Sequence, residues 1–579
     1  MNGRVTGVPA ISEDELPLER LYRWERERAN KLFLTQPYGG GRLREWTWLQ
    51  AAREIRRMAG YLKAQNWEPG SHVAILSKNC AWWVMADLAI WMAGHVTVPV
   101  YPSLRAMTVR QILEHSESKA CFIGAMDEPE AATAGIPAGL RLIHFPTAAT
   151  GPGRDWDTVV AESLAIEGHP TRAAGDLATI FYTSGTTGAP KGVMHHFTAL
   201  SFFTRSFTRG YDLSGEDHRI LSYLPMAHIL EREGQELPAI LLGWHIFFTE
   251  GLESFLTDLQ RARPSSVFLA VPRVLLKLQQ GVYEKIPRKK LDRLLRIPVV
   301  RRIVRKKILH QLGLDAVRYA ACGAAPLPPE NLMWFRDLGL NLLEGYGLTE
   351  AMITHLTRQG KVRPGYAGSP LDGVEAKRAG NGELLLRSPM NMLGYYKDPA
   401  ATREAFTEDG FLHTGDIVEV EPEGQIKIVG RIKEQFKTSK GKYVAPAPIE
   451  TKLAAHPDVE SCCLMGAGLA APFGVIVLSP EARQRCADPI LKKELEDSLQ
   501  ERLEQVNTQL EAHERVLFLA LVEGPWTIGN GMMTPTLKLK RAAVETQYLA
   551  YVDYWKSQDR VVVWETEART RHAGAADPA

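Results

Sequence analysis

Cysteine is scarce in this chain, with six in 579 residues. Cys80, Cys121, Cys322, the neighbours Cys462 and Cys463, and Cys486 stand at no metal-ligand or redox spacing. A disulfide framework is therefore not expected, and the pattern fits reduced thiols in a cytosol. The opening residues, MNGRVTGVPAISEDELPLER, lack the apolar stretch of a secretory signal. An unbroken membrane span is missing too. Residues 80–101, CAWWVMADLAIWMAGHVTVPVY, are long enough, but Asp87, Gly94, His95 and Pro99 interrupt them. A central carboxylate is costly in lipid, so this run reads as a buried helix leading into a buried strand. There is no internal repeat and no low-complexity tract. The localisation these absences imply is cytoplasmic.

Net charge is also small, at +2, but it is unevenly spread. Residues 284–307, EKIPRKKLDRLLRIPVVRRIVRKK, hold eleven Lys or Arg against two acids, a local +9 that leaves the remainder at −7. The length calls for two or three domains, each with its own core. Short apolar runs alternate with helical patterns: HVAILSK (72–78), ACFIG (120–124), LATIFYT (177–183), SSVFLAV (265–271) and VRYAACG (317–323). Strands separated by helices predict an α/β fold with mostly parallel sheets. The texture changes from about Val429, which divides a large N-terminal domain, residues 1–430, from a smaller α+β lobe, residues 431–579.

Residues 181–197, FYTSGTTGAPKGVMHHF, concentrate hydroxyls and bare amides and then supply Lys191. A glycine-rich turn leaving an apolar strand exposes consecutive N–H groups that can ring phosphate oxygens. The same composition would suit a flexible surface loop. It is not a Walker A loop, because Pro190 precedes Lys191 where that pattern needs Gly-Lys-Ser/Thr.

YTSGTTGAPKG resembles the phosphate-loop signature of the adenylate-forming superfamily, which includes acyl-CoA synthetases, luciferases and peptide-synthetase adenylation domains. Five further motifs follow in family order. ACGAAPL (321–327) resembles the adenine-side loop and supplies Gly323, Ala324 and Ala325, with Ala324 where Gly is commoner. LEGYGLTE (343–350) resembles the next motif. The resemblance puts Glu344, Gly345, Tyr346 and Gly347 beside the nucleotide, with Tyr346 on the adenine ring and Thr349 at the α-phosphate. HTGD (413–416) resembles the ribose motif, where one carboxylate, Asp416, can accept from both hydroxyls. GRIKEQFKTSKGKYVAPAPIE resembles the hinge motif. It implies that Arg431 reaches the ribose, that Lys433 marks a hinge at about 431–434, and that the C-terminal lobe is mobile. TPTLKLKR (534–541) resembles the catalytic-lysine motif, with Lys538 as that lysine. Taken singly, Tyr346 could be a core aromatic, Asp416 a helix N-cap before IVEV, and Lys538 a solvated lysine.

The resemblance implies ATP- and Mg²⁺-dependent activation of a carboxylate to an acyl-AMP, then thioester formation with CoA. Thr183 and Glu350 are the expected Mg²⁺ ligands. Ser184, Gly185, Thr186, Thr187, Gly188 and Lys191 would cradle the β- and γ-phosphates. Lys538 would neutralise charge between carboxylate and α-phosphate, and Lys437, Lys440, Gly441 and Lys442 would face CoA. YLPMAHILERE (223–233), VPRVLLKLQQG (271–281) and VPVYPSL (98–104) resemble the long-chain fatty acid–CoA ligase branch, with His228 near the acyl entrance. A medium-chain, aryl or cyclic acid, a carrier-protein acceptor, and a catalytically silent relative are the alternatives.

The basic segment places Leu291, Leu294, Leu295, Val299, Ile303 and Val304 at helical spacing, interrupted by Pro298. It reads either as a solvated helical pair or as a peripheral contact with the inner face of an anionic membrane. No nucleic-acid partner is expected, since no recognition module accompanies the charge. Monomer and homodimer both remain open.

Overall fold

The computed structural model describes residues 10–149, 151–184, 190–213, 217–251, 253–534 and 538–569. Contacts divide the chain into two units. The first runs through Lys377 and adds Leu385–Thr414 and Val420–Ile426. The second comprises Arg378–Leu384, Gly415–Glu419 and the chain from Lys427 onward.

All five apolar runs form strands, all within predominantly parallel parts of two sheets. The larger sheet of the first unit has eight strands, and its centre is Leu177–Ser184, Val96–Val100, His72–Leu76 and Ala120–Ile123, all parallel. Pro190–His196 turns back antiparallel against Leu177–Ser184, and Gly394–Tyr395 adds to its far edge. A second sheet sets Val267–Ala270, Tyr319–Cys322 and Leu342–Leu348 parallel, then continues antiparallel through Met352–Leu356. A further sheet pairs Leu32–Pro37 with His245–Phe248 and Leu43–Thr47.

The long apolar run is the helix Ala81–Met92, every residue of which is buried, followed by the buried strand Val96–Val100. Trp82, Trp83 and Trp91 are enclosed, and burying each such side chain contributes on the order of 2–3 kcal/mol. Asp87 is enclosed with them, and Arg232 forms an ion pair with it. No helix among the described residues is long and apolar enough to cross a membrane.

In the second unit, Val459–Met465, Phe473–Leu478, Leu519–Val522 and Val562–Trp564 form one sheet. Its alternation is strict. Val475 and Val477 pack toward Trp526 and Trp555, whereas Ile476 and Leu478 pack toward Leu453 and Leu499. Side chains of successive residues leave opposite faces of a strand, so helices cover both sides. Asp416 lies within the strand Leu412–Val420, which removes the helix-cap reading of that residue.

Candidate functional site

The phosphate-loop candidate is a hairpin. Its two strands pair in a register that sets Thr183 opposite Lys191 and Ser184 opposite Pro190. Gly185, Thr186, Thr187 and Gly188 lie outside the described residues. Gly192 is required by close packing, since a Cβ there would stand 2.9 Å from Ile180 Cγ2.

The second strand of this hairpin assembles the rest of the first unit's site. His195 Nε2 donates to the Thr349 carbonyl at 2.7 Å. Complete burial pushes the His195 pKa down to about 3, so the ring is neutral. Since a carbonyl can only accept, the proton of that neutral ring is on Nε2. Tyr395 of the edge strand and Met392 just before that strand complete the arrangement around Glu350. The Tyr395 hydroxyl donates to Glu350 Oε1 at 3.0 Å, and the Met392 N–H donates to the Glu350 carbonyl at 2.8 Å. Lys191 Nζ stands 5.0 Å from the centroid of the Tyr395 ring. Tyr395 therefore bridges the hairpin lysine and the Glu350 carboxylate, and burial first, then Glu350, raises its own pKa. The chain segments that meet here are about 150 and 200 residues apart.

The Glu344–Glu350 segment enters from the second sheet. Pairing shifts register between Tyr346 and Gly347, and a Cβ on Gly347 would lie 2.4 Å from the Met352 carbonyl. Only glycine fits so close an approach. Tyr346 is buried with its ring edge-on to His355, centroids 5.8 Å apart. Burial pushes Glu344 up to about 8, a carboxyl held largely protonated at neutral pH. Across from it, Ala324 adopts φ +69°, the left-handed region that favours glycine. The family's preference for Gly at that position thus has a local cause here. Ala325 follows it in the same exposed turn.

Beside this loop lies a narrow cavity of about 40 Å³, lined by Phe203, Phe207, Leu230, Leu269, Gly323 and Gly345. Its lining is almost wholly apolar. His228 lies just before it, where Nδ1 accepts the Leu230 N–H at 3.0 Å and caps a short helix. That helix runs into a π-helical turn, Arg232–Glu236, a geometry common at functional sites. Its Gly234 reaches the cavity, while the charged neighbours point into the core. There Arg232 bonds Asp87, Glu236 at 3.0 Å and Thr179 at 3.0 Å, and lies over Trp83, Trp91 and Phe181. Glu233 Oε2 accepts the Ile353 N–H at 2.7 Å. Burial raises the carboxyls of Asp87, Glu231, Glu233 and Glu236, and Arg232 opposes that rise at Asp87 and Glu236.

In the second unit, Arg431 Nε donates to Asp416 Oδ1 at 2.7 Å, with the carboxylate buried and the guanidinium half exposed. Lys433 is exposed in the turn that follows. Gly441, at φ +75°, closes the tight hairpin between Phe436–Lys437 and Tyr443–Val444, and Lys437, Lys440 and Lys442 are exposed around it. Lys538 is exposed, and its N–H donates to Thr534 Oγ1 at 3.0 Å while its carbonyl accepts the Thr534 N–H at 2.8 Å. Three residues on, Arg541 forms a two-pronged pair with Glu450, at 2.8 and 3.0 Å. Sequence reasoning missed His195, Tyr395 and Arg541. His195 lay inside the quoted hairpin and Arg541 inside the lysine motif, but nothing in either motif shows what its side chain grips.

Among the described residues, no cluster of three His, Cys, Asp or Glu could hold a metal by itself. Glu350 and Thr183 offer hard oxygen donors of the kind Mg²⁺ takes when substrate phosphates complete its shell.

Residues 21–396 match the AMP-binding enzyme family, and residues 433–558 match the AMP-binding enzyme C-terminal domain. The chain is 30% identical over 561 residues to the long-chain-fatty-acid–CoA ligase FadD15 of Mycobacterium bovis, covering 88% of this chain and 91% of that one. It is 29% identical over 595 residues to the peroxisomal long chain acyl-CoA synthetase 7 of Arabidopsis thaliana, covering 90% and 83%. In fold it resembles the adenylation domain of a carboxylate reductase from Mycobacterium chelonae, with TM-score 0.78, 22% identity and coverage of 96% and 92%. It also resembles the anthranilate CoA ligase AuaEII, solved with anthranoyl-AMP, with TM-score 0.75, 21% identity and coverage of 94% and 99%. The chain belongs to the AMP-binding enzyme family, within the adenylate-forming superfamily that its motifs resemble.

Proposed function

We propose that this protein is a long-chain fatty acid–CoA ligase that forms an acyl-AMP from ATP and then an acyl-CoA. The observation that carries this reading is the junction of an apolar cavity with the Gly323–Ala324 loop and Gly345. An apolar chain in that cavity would have its carboxylate end at the nucleotide-side loop. The names of the full-length relatives favour a long-chain acid.

In the first step a carboxylate oxygen attacks the α-phosphorus of ATP and pyrophosphate leaves. Both partners are anions, so the protein's work is to position them and offset charge. The hairpin from Thr183 to Lys191 would hold the departing phosphates. Thr349, steadied through its carbonyl by His195, would meet the α-phosphate. Mg²⁺, held by Glu350 and Thr183, would offset charge on the phosphates. Asp416 and Arg431 would hold the ribose, and Tyr346 would lie along the adenine. Lys538 would bring its ammonium to the reacting oxygens. In the second step the CoA thiol, as thiolate, attacks the acyl carbon and AMP leaves. The lobe 431–579 would turn about residues 431–434 between the steps, withdrawing Lys538 and bringing the Lys437–Lys442 hairpin to CoA.

A second reading, a smaller acid, has one observation in its favour. The cavity of about 40 Å³ barely exceeds the volume of one water in liquid, about 30 Å³, so a long chain must displace Leu230, Leu269 or Phe207. Mass spectrometry of acyl-CoA formed from acetate, octanoate, palmitate, oleate, benzoate and a cyclic acid decides between them. A maximum near sixteen carbons supports the long-chain reading, and a maximum at octanoate or benzoate replaces it. Acyl-AMP without thioester from any acid would point to a carrier-protein acceptor.

A further inference from the structure

Far along the chain from the motifs, the helices Arg288–Arg296 and Pro298–Gln311 form a hairpin on the first unit. Its inner side is anchored, with Leu291, Ile308 and Leu312 buried in a core that includes Leu275 and Phe335. Its outer side borders an open groove of about 780 Å³, lined by Arg263, Arg296, Arg301, Arg302, Arg305 and Lys306. The one acid in that lining, Asp315, is taken by Arg263 at 2.8 Å and by His310 at 3.0 Å. Among the described residues no carboxylate pairs with Arg296, Arg301, Arg302 or Lys306. Beside these cations stand three aliphatic side chains that the fold leaves in water: Ile297 at 52% exposure, Val299 at 74% and Ile303 at 63%.

Cations alone would suit any polyanion, and stray aliphatics alone would mean nothing. Together on a rigid mount they match a bilayer surface, where phosphates lie a few ångströms above hydrocarbon. We propose that this hairpin docks the protein on anionic phospholipid membrane, with Arg296, Arg301, Arg302 and Lys306 on headgroup phosphates and Ile297, Val299 and Ile303 in the interfacial layer. The docking surface is not the mouth of the cavity. Along the strand Val267–Ala270, Phe268 and Ala270 lie in the core beneath the hairpin, whereas Val267 and Leu269 line the cavity on the other face. Docking therefore acts by keeping the enzyme where a lipid-dissolved acid is concentrated. The docking itself is argued from this surface, and only its use in meeting a lipid-dissolved acid rests on the proposed function.

The test is co-flotation of the full chain with vesicles of neutral phosphatidylcholine, or of the same lipid with 30% phosphatidylglycerol. Binding is expected only to the anionic vesicles and to weaken as salt rises. Removing one cation near the surface costs roughly five-fold, so Arg301→Glu with Arg302→Glu and Lys306→Glu should lose more than about 100-fold. Val299→Ser with Ile303→Ser should lose roughly ten-fold on vesicles and leave binding of soluble polyphosphate unchanged. Both variants should keep the wild-type melting temperature and the wild-type rate with octanoate, which separates lost docking from lost folding. Equal binding to neutral vesicles, wild-type flotation of the charge-reversed protein, or indifference of vesicle binding to the aliphatic substitutions would each overturn the proposal. The last of these would leave a soluble-polyanion site instead.

Discussion

The side chains proposed to act on the nucleotide in the first unit and those proposed to act in the second are mounted differently. Thr349 and Glu350 are held through His195, Met392 and Tyr395, all on or beside the edge of a large sheet. Lys433 and Lys440 sit exposed on turns, and Lys538 is exposed too. A group that must hold one geometry gains from a rigid neighbour, whereas a group that must leave after one step gains from a short lever on a stable base. Arg541 is that base for Lys538. Its pair with Glu450 ties the chain three residues after Lys538 to the helix Pro446–Ala454, while the lysine itself stays exposed.

The comparison can be broken most sharply at Lys538. Lys538→Ala should lower acid adenylation by about 10²–10³ while supplied acyl-AMP is still converted to acyl-CoA and the melting temperature stays unchanged. Equal adenylation in variant and wild type would remove Lys538 from the mechanism. Arg541→Met should instead act through the mount, because it leaves Glu450 buried without its cation. A loss of about 3 kcal/mol in denaturant titration is expected, and an unchanged transition would show that the pair is no anchor. In the first unit, Tyr395→Phe removes one bond to a carboxylate. The expected loss is roughly ten-fold in kcat/KM for MgATP at unchanged stability, read from initial rates over a series of ATP concentrations.

The buried acids give a smaller effect with a definite sign. Burial raises Glu231 from 4.5 to about 8. A carboxyl whose pKa is raised by folding contributes most below its unfolded value, and that contribution is lost as pH rises through its folded value. Melting temperatures of wild type and Glu231→Gln should therefore diverge between about pH 4.5 and 8, with the wild type losing more stability as pH rises; parallel curves would refute it. Smallest of all, Ala324→Gly relieves the left-handed backbone and should stabilise the fold by about 0.5–1 kcal/mol, and a destabilised variant would count against strain at that position.

Much of this was legible in the sequence where the information was local. The alternation of strand and helix, the buried run at 80–101 and the chemistry of each motif all follow from residues near one another. What could not be read depends on long closures. Arg232 meets Asp87 across 145 residues, and its sequence context, a charged ILEREGQE, reads as surface although Glu231 to Glu236 are wholly enclosed. Tyr395 likewise carries no motif of its own, and its role exists only because its strand pairs with the hairpin. Ala324 is the reverse case, a departure from the family pattern visible in sequence whose backbone angle gives the reason.

The central claim is that the chain joins a fatty acid to the α-phosphate of ATP and releases pyrophosphate. Exchange of labelled pyrophosphate into ATP, with palmitate and Mg²⁺ present and CoA absent, tests it most directly. The account predicts exchange that requires the acid and falls about 10²–10³ in Lys538→Ala. Palmitate-dependent release of ADP and phosphate, with no exchange for any acid, would contradict it.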